Sequence, residues 1–203
     1  SKRTGYINQL AVYLNQLDYT CYTSESYWKV MYVPSPSHEH LGKTHMNLAI
    51  ITKLPIVEAQ KIELPRLDEP IYRQLFNLKR IILTAKLKFG DNYIHVANVH
   101  LSAFSKGSDV LRQQISKLLD WTENKDTIII GGDFNLLPPN DDPNRLVSNN
   151  ELYDDVNYIE QLFSRFKPAI DNQLDETANT FLPHGYNQPD RKIDYIFLSH
   201  NID

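Results

Sequence analysis

The feature that most constrains the fold is an unbroken run of isoleucines followed by two glycines and an aspartate. The run is Ile128-Ile129-Ile130, with no polar residue inside it. A strand with one face in solvent alternates polar and apolar residues, so this run predicts a strand that is buried on both faces. Gly131-Gly132 ends the strand and permits a close approach of the backbone. Asp133 then follows at its tip.

Other segments predict further strands around this one. Apolar residues alternate with polar ones such as Lys86 and Lys88 from residue 81 to residue 89, which predicts a strand with one wet face. Gly90-Asp91-Asn92 predicts a turn, and residues 93–101 predict the returning strand of an antiparallel hairpin, with His100 near its end. Shorter strands are predicted over residues 28–33, 48–51 and 192–199.

Apolar residues at helical spacing predict three helices, over residues 6–17, 110–119 and 158–166. We expect the first helix to cover a sheet, and Ser108 or Asp109 to cap the second. No repeat, low-complexity tract or linker divides the 203 residues, and 41% of them are hydrophobic, which is enough for one core. The predicted class is α/β, in one domain over residues 1–203, as two sheets flanked by helices.

Composition excludes some classes of function and localisation. The formal net charge is −4, so a polyanion would need a local basic strip. Cys21 is the single cysteine, which rules out an internal disulfide and favours a cytoplasmic location. No apolar run approaches the roughly 20 residues of a membrane span, so we expect a soluble protein without a transmembrane segment, and a monomer.

Three segments place polar side chains at the ends of apolar strands, and their residues are His100, then Asp133 with Asn135, then Asp194 next to Arg191. In extended backbone, Asp133 and Asn135 would point to one side and could meet at a single phosphate. A carboxylate can accept a proton from water, and a carboxamide can donate to a phosphoryl oxygen.

Each of these residues has a plain structural alternative. Gly-Asp-x-Asn is also what a turn requires. A single histidine at a strand end is more often structural than catalytic. Asp194 lies among apolar residues and needs a partner, which could be Arg191 or an imidazole.

Taken together, the motifs resemble those of the endonuclease/exonuclease/phosphatase superfamily, of the deoxyribonuclease I type. The matching segments, in chain order, are residues 47–56, Asn98-Val99-His100-Leu101, Arg112 with Gln114, Gly131-Gly132-Asp133-Phe134-Asn135, and Arg191-Lys192-Ile193-Asp194-Tyr195-Ile196. The resemblance implies a four-layer α/β sandwich, in which two mixed, largely antiparallel sheets pack face to face with helices outside.

The resemblance also implies roles for the residues. His100 would contact or protonate the phosphate, Asp133 would orient the attacking water, Asn135 would bind a phosphoryl oxygen and Asp194 would orient a catalytic histidine. Arg191 would bind substrate or steady its strand. Mg²⁺ or Mn²⁺ is the implied cofactor, with Asp133 as a candidate ligand.

Family members also carry an Asn on a first strand, a metal-binding Glu after a Gln, and a late Ser-Asp-His, and this chain has none of them. By family order the first two would precede Ser1 and the last would follow Asp203. We therefore expect the chain to lack its first strand or strands and its C-terminal strand, with the main metal ligand upstream of Ser1. The alternative is an inactive binding or scaffold protein of the same fold.

The predicted function is metal-dependent hydrolysis of phosphoester bonds by in-line attack of water. Leu136-Leu137 after the Asp-Phe-Asn motif departs from the Tyr-Arg usually seen there in inositol 5-phosphatases, which lowers that option. Nucleic acid and phospholipid diesters both remain as substrates. A histidine-rich segment, His38-Glu39-His40 with His45, is better explained as a solvated loop than as a metal site. Several basic residues could border a phosphate groove but are ordinarily solvated surface: Lys2, Arg3, Lys53, Lys79, Arg80 and Lys106.

Overall fold

The computed structural model describes residues 1–19, 21–33, 40–68, 70, 78–103, 109–148, 153, 158–170 and 176–202. The strands in these ranges are β1 (Cys21–Val33), β2 (Gly42–Thr52), β3 (Ile56–Glu63), β4 (Ile81–Phe89), β5 (Asn92–His100), β6 (Ile128–Asp133), β7 (Lys167–Pro168) and β8 (Asp194–Leu198). The α-helices are α1 (Gln9–Gln16), α2 (Val110–Thr122) and α3 (Glu160–Arg165). Short 3-10 turns occupy Lys2–Thr4, Pro143–Arg145 and Glu176–Ala178.

The strands form two sheets. β1 and β2 make an antiparallel pair, and the other strands make a six-stranded sheet in the order β3-β4-β5-β6-β8-β7. Within that sheet β5 and β6 run parallel, and the remaining neighbours run antiparallel. The predicted α/β class, with two mixed and largely antiparallel sheets, is therefore confirmed.

One hydrophobic core lies between the two sheets, and a second lies between the six-stranded sheet and the helices. The first contains Tyr27 and Leu48 from the small sheet, packed with Leu83 from β4. The second contains Ile130 and Phe197 from the large sheet, with residues of α2 and α3. Ile128 and Ile130 of β6 are buried in this second core, whereas Ile129 on the opposite face is only partly buried, so the prediction of a strand buried on both faces is confirmed for one face.

The predicted hairpin of β4 and β5 is confirmed, and the second and third helices form close to their predicted positions. The prediction that one face of β4 is exposed to solvent is wrong, because Ile82 and Thr84 are as deeply buried as their neighbours on the other face. Both sides of this central strand are covered by core clusters, and the hydroxyl of Thr84 is satisfied by the carbonyl of Gln60.

Two further expectations differ from the structure. The prediction that α1 covers a sheet is wrong, since no residue of α1 is buried. β3 has no predicted counterpart, because it is an edge strand whose polar residues give no apolar alternation. Asp109 occupies the N-cap position of α2 without a capping hydrogen bond from its side chain, and Ser108 lies outside the described residues.

Gly132 sets how closely β6 approaches β5. Its φ of +142° is rarely adopted by residues with a side chain, and a Cβ at this position would collide with the carbonyl oxygen of Val99. The glycine therefore lets two parallel strands pack tightly just before His100 and Asp133, where both strands end.

Candidate active site

Three of the residues singled out in the sequence lie side by side at one end of the large sheet. His100 ends β5 and is paired in register with Asp133, which ends β6. Asp133 is in turn paired with Asp194, which begins β8. Residues in direct register project to the same face of a sheet, so one imidazole and two carboxylates share a small area.

Asp133 is the central member of this cluster. Its side chain is 28% exposed, and its Oδ2 lies 3.4 Å from Nε2 of His100. Burial raises the pKa of Asp133 to about 6, and the nearby Asp194 carboxylate adds to the increase. The backbone N–H of Asn135 donates to Oδ1 at 2.9 Å, which partly opposes that rise. A carboxyl group with such a pKa exchanges a proton close to neutral pH.

His100 is held from its other ring nitrogen by a residue on the small sheet. Its Nδ1 lies 2.8 Å from the hydroxyl oxygen of Tyr27, and the two rings pack edge to face with centroids 5.6 Å apart. Burial, aided by the positive charge of Arg80, lowers the pKa of His100 to about 3. The imidazole is therefore neutral at physiological pH, with one proton to place on one of two nitrogens.

Tyr27 is a site residue that sequence reasoning missed, and Arg80 is one that it left undecided. Arg80 belongs to the group of basic residues that could either border a phosphate groove or be solvated surface, and the surface alternative is wrong for Arg80 because it is only 7% exposed. Its guanidinium lies over the Tyr27 ring, 6.0 Å from the centroid, and its buried Nη1 has no hydrogen-bond partner among the residues that the structure describes. A buried guanidinium with an unused donor is suited to an anionic oxygen.

Asn135 does not adopt the extended backbone assumed from the sequence. Its φ of +52° is left-handed, and its side-chain Nδ2 donates to the carbonyl oxygen of Leu101 at 3.0 Å. The premise that Asp133 and Asn135 alternate on one strand is therefore wrong. Asn135 still lies next to the cluster, where it supports Asp133 through its backbone and ties the β6 tip to the segment after β5. Phe134, between them, is fully buried.

Asp194 and Arg191 have environments other than those expected. Asp194 is exposed rather than enclosed in apolar residues, so it needs no buried counter-charge. Arg191 is 1% exposed and bonds to both carboxylate oxygens of Asp190, at 2.7 Å each, and to the carbonyl oxygen of Ser148. Arg191, one of the two partners considered for Asp194, pairs with Asp190 instead, and a direct contact of Arg191 with substrate does not fit its burial. Its predicted role in steadying the strand fits these bonds.

The remaining sequence motifs lie away from the cluster. Arg112 is exposed and pairs with Asp109. Gln114 is buried and bonds to Ser102 and Pro65, so it fixes the segment after β5. In the histidine-rich segment, His45 bonds to the hydroxyl of Ser26, and residues 38 and 39 lie outside the described residues.

The side chains of the cluster provide part of what a hard divalent cation requires. Mg²⁺ is usually held by one or two carboxylates together with water and substrate phosphate, and Asp133 and Asp194 supply two carboxylates whose repulsion shows in the raised pKa of Asp133. Among the residues that the structure describes, no group of three or more His, Cys, Asp and Glu is arranged to hold a metal ion.

A neutral imidazole, a carboxyl that exchanges a proton near neutral pH and a buried guanidinium lie together at one end of the large sheet. Groups of these kinds can transfer a proton and stabilise developing negative charge. The chain belongs to the Endonuclease/Exonuclease/phosphatase family, whose model matches residues 6–202. Endonucleases, exonucleases and phosphatases all hydrolyse phosphoester bonds. No curated protein is similar enough in sequence to count as a relative.

Solved structures show the same fold at low sequence identity. The human Nocturnin catalytic domain with bound sulfate is 17% identical with a TM-score of 0.58, over 96% of this chain and 65% of that one. An endonuclease/exonuclease/phosphatase protein from Beutenbergia cavernae DSM 12333 is 22% identical with a TM-score of 0.60, over 95% of this chain and 49% of that one. ANGEL2, described as a 2',3'-cyclic phosphatase, is 14% identical with a TM-score of 0.54, over 98% and 67%.

The chain thus spans about two thirds or less of the first two structures. In the part of the chain that the structure describes, no helix has both the length and the apolar character needed to cross a bilayer.

Proposed function

We propose that this protein hydrolyses phosphoester bonds by in-line attack of water, in the presence of Mg²⁺ or Mn²⁺. The observation that carries the proposal is the register of β5, β6 and β8, which sets His100, Asp133 and Asp194 side by side. Three chain segments distant in sequence contribute these groups, and a structural turn or a single structural histidine would not require that convergence.

Asp133 is the group that we assign to the attacking water. Above a pH of about 6 its carboxyl is ionised and can accept a proton from water as the new P–O bond forms. Burial makes it a stronger base than an exposed aspartate while leaving it 28% exposed. Water can therefore reach the carboxylate from the open side of the cluster.

His100 and Arg80 are the groups that we assign to the phosphoryl oxygens. His100 is neutral and can donate from Nε2, which faces Asp133. Arg80 contributes a positive charge and an unused donor at Nη1. Donors already held in place, in a partly buried site, stabilise charge that develops on phosphate in the transition state. Asn135 is proposed to contribute by holding the Asp133 carboxylate through its N–H, and by contacting a phosphoryl oxygen if its amide is released from Leu101.

Asp133 and Asp194 would hold the divalent cation, which would stabilise negative charge on the phosphate and the leaving group when bound. The proposed substrates are diesters of nucleic acid or phospholipid, and the chain's net charge of −4 makes recognition depend on local groups such as Arg80.

The test is a panel of DNA, RNA, sphingomyelin, nucleotide and inositol phosphate substrates, assayed with Mg²⁺, with Mn²⁺ and with chelator. Asp133→Ala should lower kcat on any active substrate by about a hundredfold or more, because a general base contributes on the order of 10² to 10⁴ in rate. Asp120→Ala, at an exposed position of α2, is the control.

Unchanged turnover in Asp133→Ala would refute the assignment. Binding of a substrate without turnover under every metal condition would favour the second candidate, a binding or scaffold protein of this fold.

A further inference from the structure

Tyr27 occupies an unusual backbone position. The register of β1 with β2 pairs Ser26 with Asn47 and Trp28 with Met46, so Tyr27 is the extra residue of a β-bulge. Bulges re-aim a side chain out of the normal alternation of a strand and recur beside active sites. Here the bulge turns Tyr27 inward, where it is 4% exposed, towards the ends of β5 and β6.

Three contacts hold Tyr27 in that position. Its carbonyl oxygen accepts a hydrogen bond from the backbone N–H of Lys79 at 3.0 Å, its ring lies beneath the Arg80 guanidinium, and its hydroxyl meets Nδ1 of His100 at 2.8 Å. A side chain fixed at its backbone, its ring and its polar tip has little freedom to leave the imidazole. The phenol is therefore prearranged rather than incidental.

The surroundings of His100 decide which way this hydrogen bond runs. Nε2 lies 3.4 Å from a carboxyl oxygen of Asp133, which is a hydrogen-bond acceptor, and this favours the tautomer with the ring proton on Nε2. Nδ1 is then the unprotonated nitrogen, and the Tyr27 hydroxyl donates to it. Burial raises the pKa of Tyr27 to about 12, so the hydroxyl keeps its proton throughout the neutral range.

We propose that Tyr27 is a positioning residue that holds His100 in the tautomer protonated at Nε2 and aims that N–H at the reacting phosphoryl group. The inference rests on the proposed function for its effect on turnover, but the tautomer can be measured without any substrate. Tyr27 itself need not touch the phosphate, because it acts through the far side of the imidazole.

The first experiment is ¹⁵N NMR of the histidine side chains at pH 7.5 in chelator, with the His100 signals assigned from His100→Gln. The expected result is a protonated Nε2 and an unprotonated Nδ1 that is shielded by an accepted hydrogen bond. Tyr27→Phe should move the Nδ1 signal to that of a free ring nitrogen, whereas Tyr22→Phe, an exposed tyrosine on the same strand, should leave it in place. If Nδ1 carries the ring proton in the wild-type protein, the proposal is overturned. This result does not depend on whether any variant folds.

The second experiment uses whichever substrate the panel identifies. Tyr27→Phe should lower kcat by roughly tenfold to a hundredfold with KM little changed, as for other groups that orient a functional imidazole. The same change in a His100→Gln background should have no further effect, because its influence passes through that ring. An undiminished kcat in Tyr27→Phe, or an equal loss in the His100→Gln background, would refute the positioning role.

The two experiments separate this inference from the proposed function. If Asp133→Ala keeps full turnover, the assignment of the hydrolytic site fails while the tautomer measurement stands. If Asp133→Ala abolishes turnover and Tyr27→Phe has no effect on the Nδ1 signal or on kcat, the site stands and the inference fails.

Discussion

The raised pKa of Asp133 predicts a specific dependence of stability on pH. In the folded protein this pKa rises from an ordinary value of 3.8 to about 6, so between these two pH values the folded state binds more protons than the unfolded state. The free energy of unfolding therefore falls as the pH rises through that window. A pKa difference of this size corresponds to about 3 kcal/mol, at 1.36 kcal/mol for each pKa unit.

The perturbation that isolates this effect is Asp133→Asn, which keeps the size of the side chain and removes its titration. Relative to wild type, the variant should gain up to about 3 kcal/mol of stability between pH 3.5 and pH 7.5. Because His100 is present in both proteins, its own titration largely cancels in the comparison. The backbone N–H of Asn135 can still find an acceptor in the new amide oxygen.

The assay is urea unfolding at both pH values in chelator, so that bound cation does not mask the repulsion between Asp133 and Asp194. Asp120→Asn, at an exposed position of α2, controls for the change in net charge. The reasoning would be refuted if the stability gain of Asp133→Asn over wild type, measured as free energy of unfolding, were the same at both pH values or larger at pH 3.5. Such a result would mean that Asp133 is not desolvated in the folded protein.

Three further outcomes follow from the same contacts. Gly132→Ala should lower the free energy of unfolding in urea by more than about 3 kcal/mol, because its Cβ would collide with Val99. Gly90→Ala, also at positive φ but in open space, should lower it much less. Equal losses in the two variants would contradict the close-packing account. Phe134→Ala should cost about 3 to 5 kcal/mol, since the ring is fully buried; a loss below 1 kcal/mol would show that the ring is not in the core. Arg191→Leu should cost about 3 to 5 kcal/mol by leaving a buried partner uncompensated, while any KM of the folded variant stays at the wild-type value; a large rise in KM with unchanged stability would instead favour contact with substrate.

Much of the site could be predicted from local patterns. The isoleucine run and its glycines predicted a buried strand that ends at Asp133, and the alternation before Gly90 predicted the hairpin that carries His100. These inferences hold because hydrophobic period and turn residues are local properties of the chain. The alignment of His100, Asp133 and Asp194 at one point is set by the pairing of β5, β6 and β8.

Other parts could not be read in this way. Arg80 resembles any surface arginine in sequence, but in the folded protein it is buried, with its guanidinium over the ring of Tyr27 from a distant strand. Asn135 was expected to share a strand face with Asp133, but the chain turns left-handed there and directs the amide to Leu101. Asp194 was expected to be enclosed, yet its strand exposes that face.

The amino-acid sequence by itself determined the strand ends, the chemistry that each end carries, and the α/β class, because these depend on residue type and spacing over a few positions. The tertiary structure alone decided which groups surround His100, which nitrogen of its ring faces Asp133, and how strongly Asp133 holds its proton. Those properties depend on burial and on distances between atoms far apart in the chain. Desolvation and Coulomb interaction are set by distances in space rather than by order in sequence.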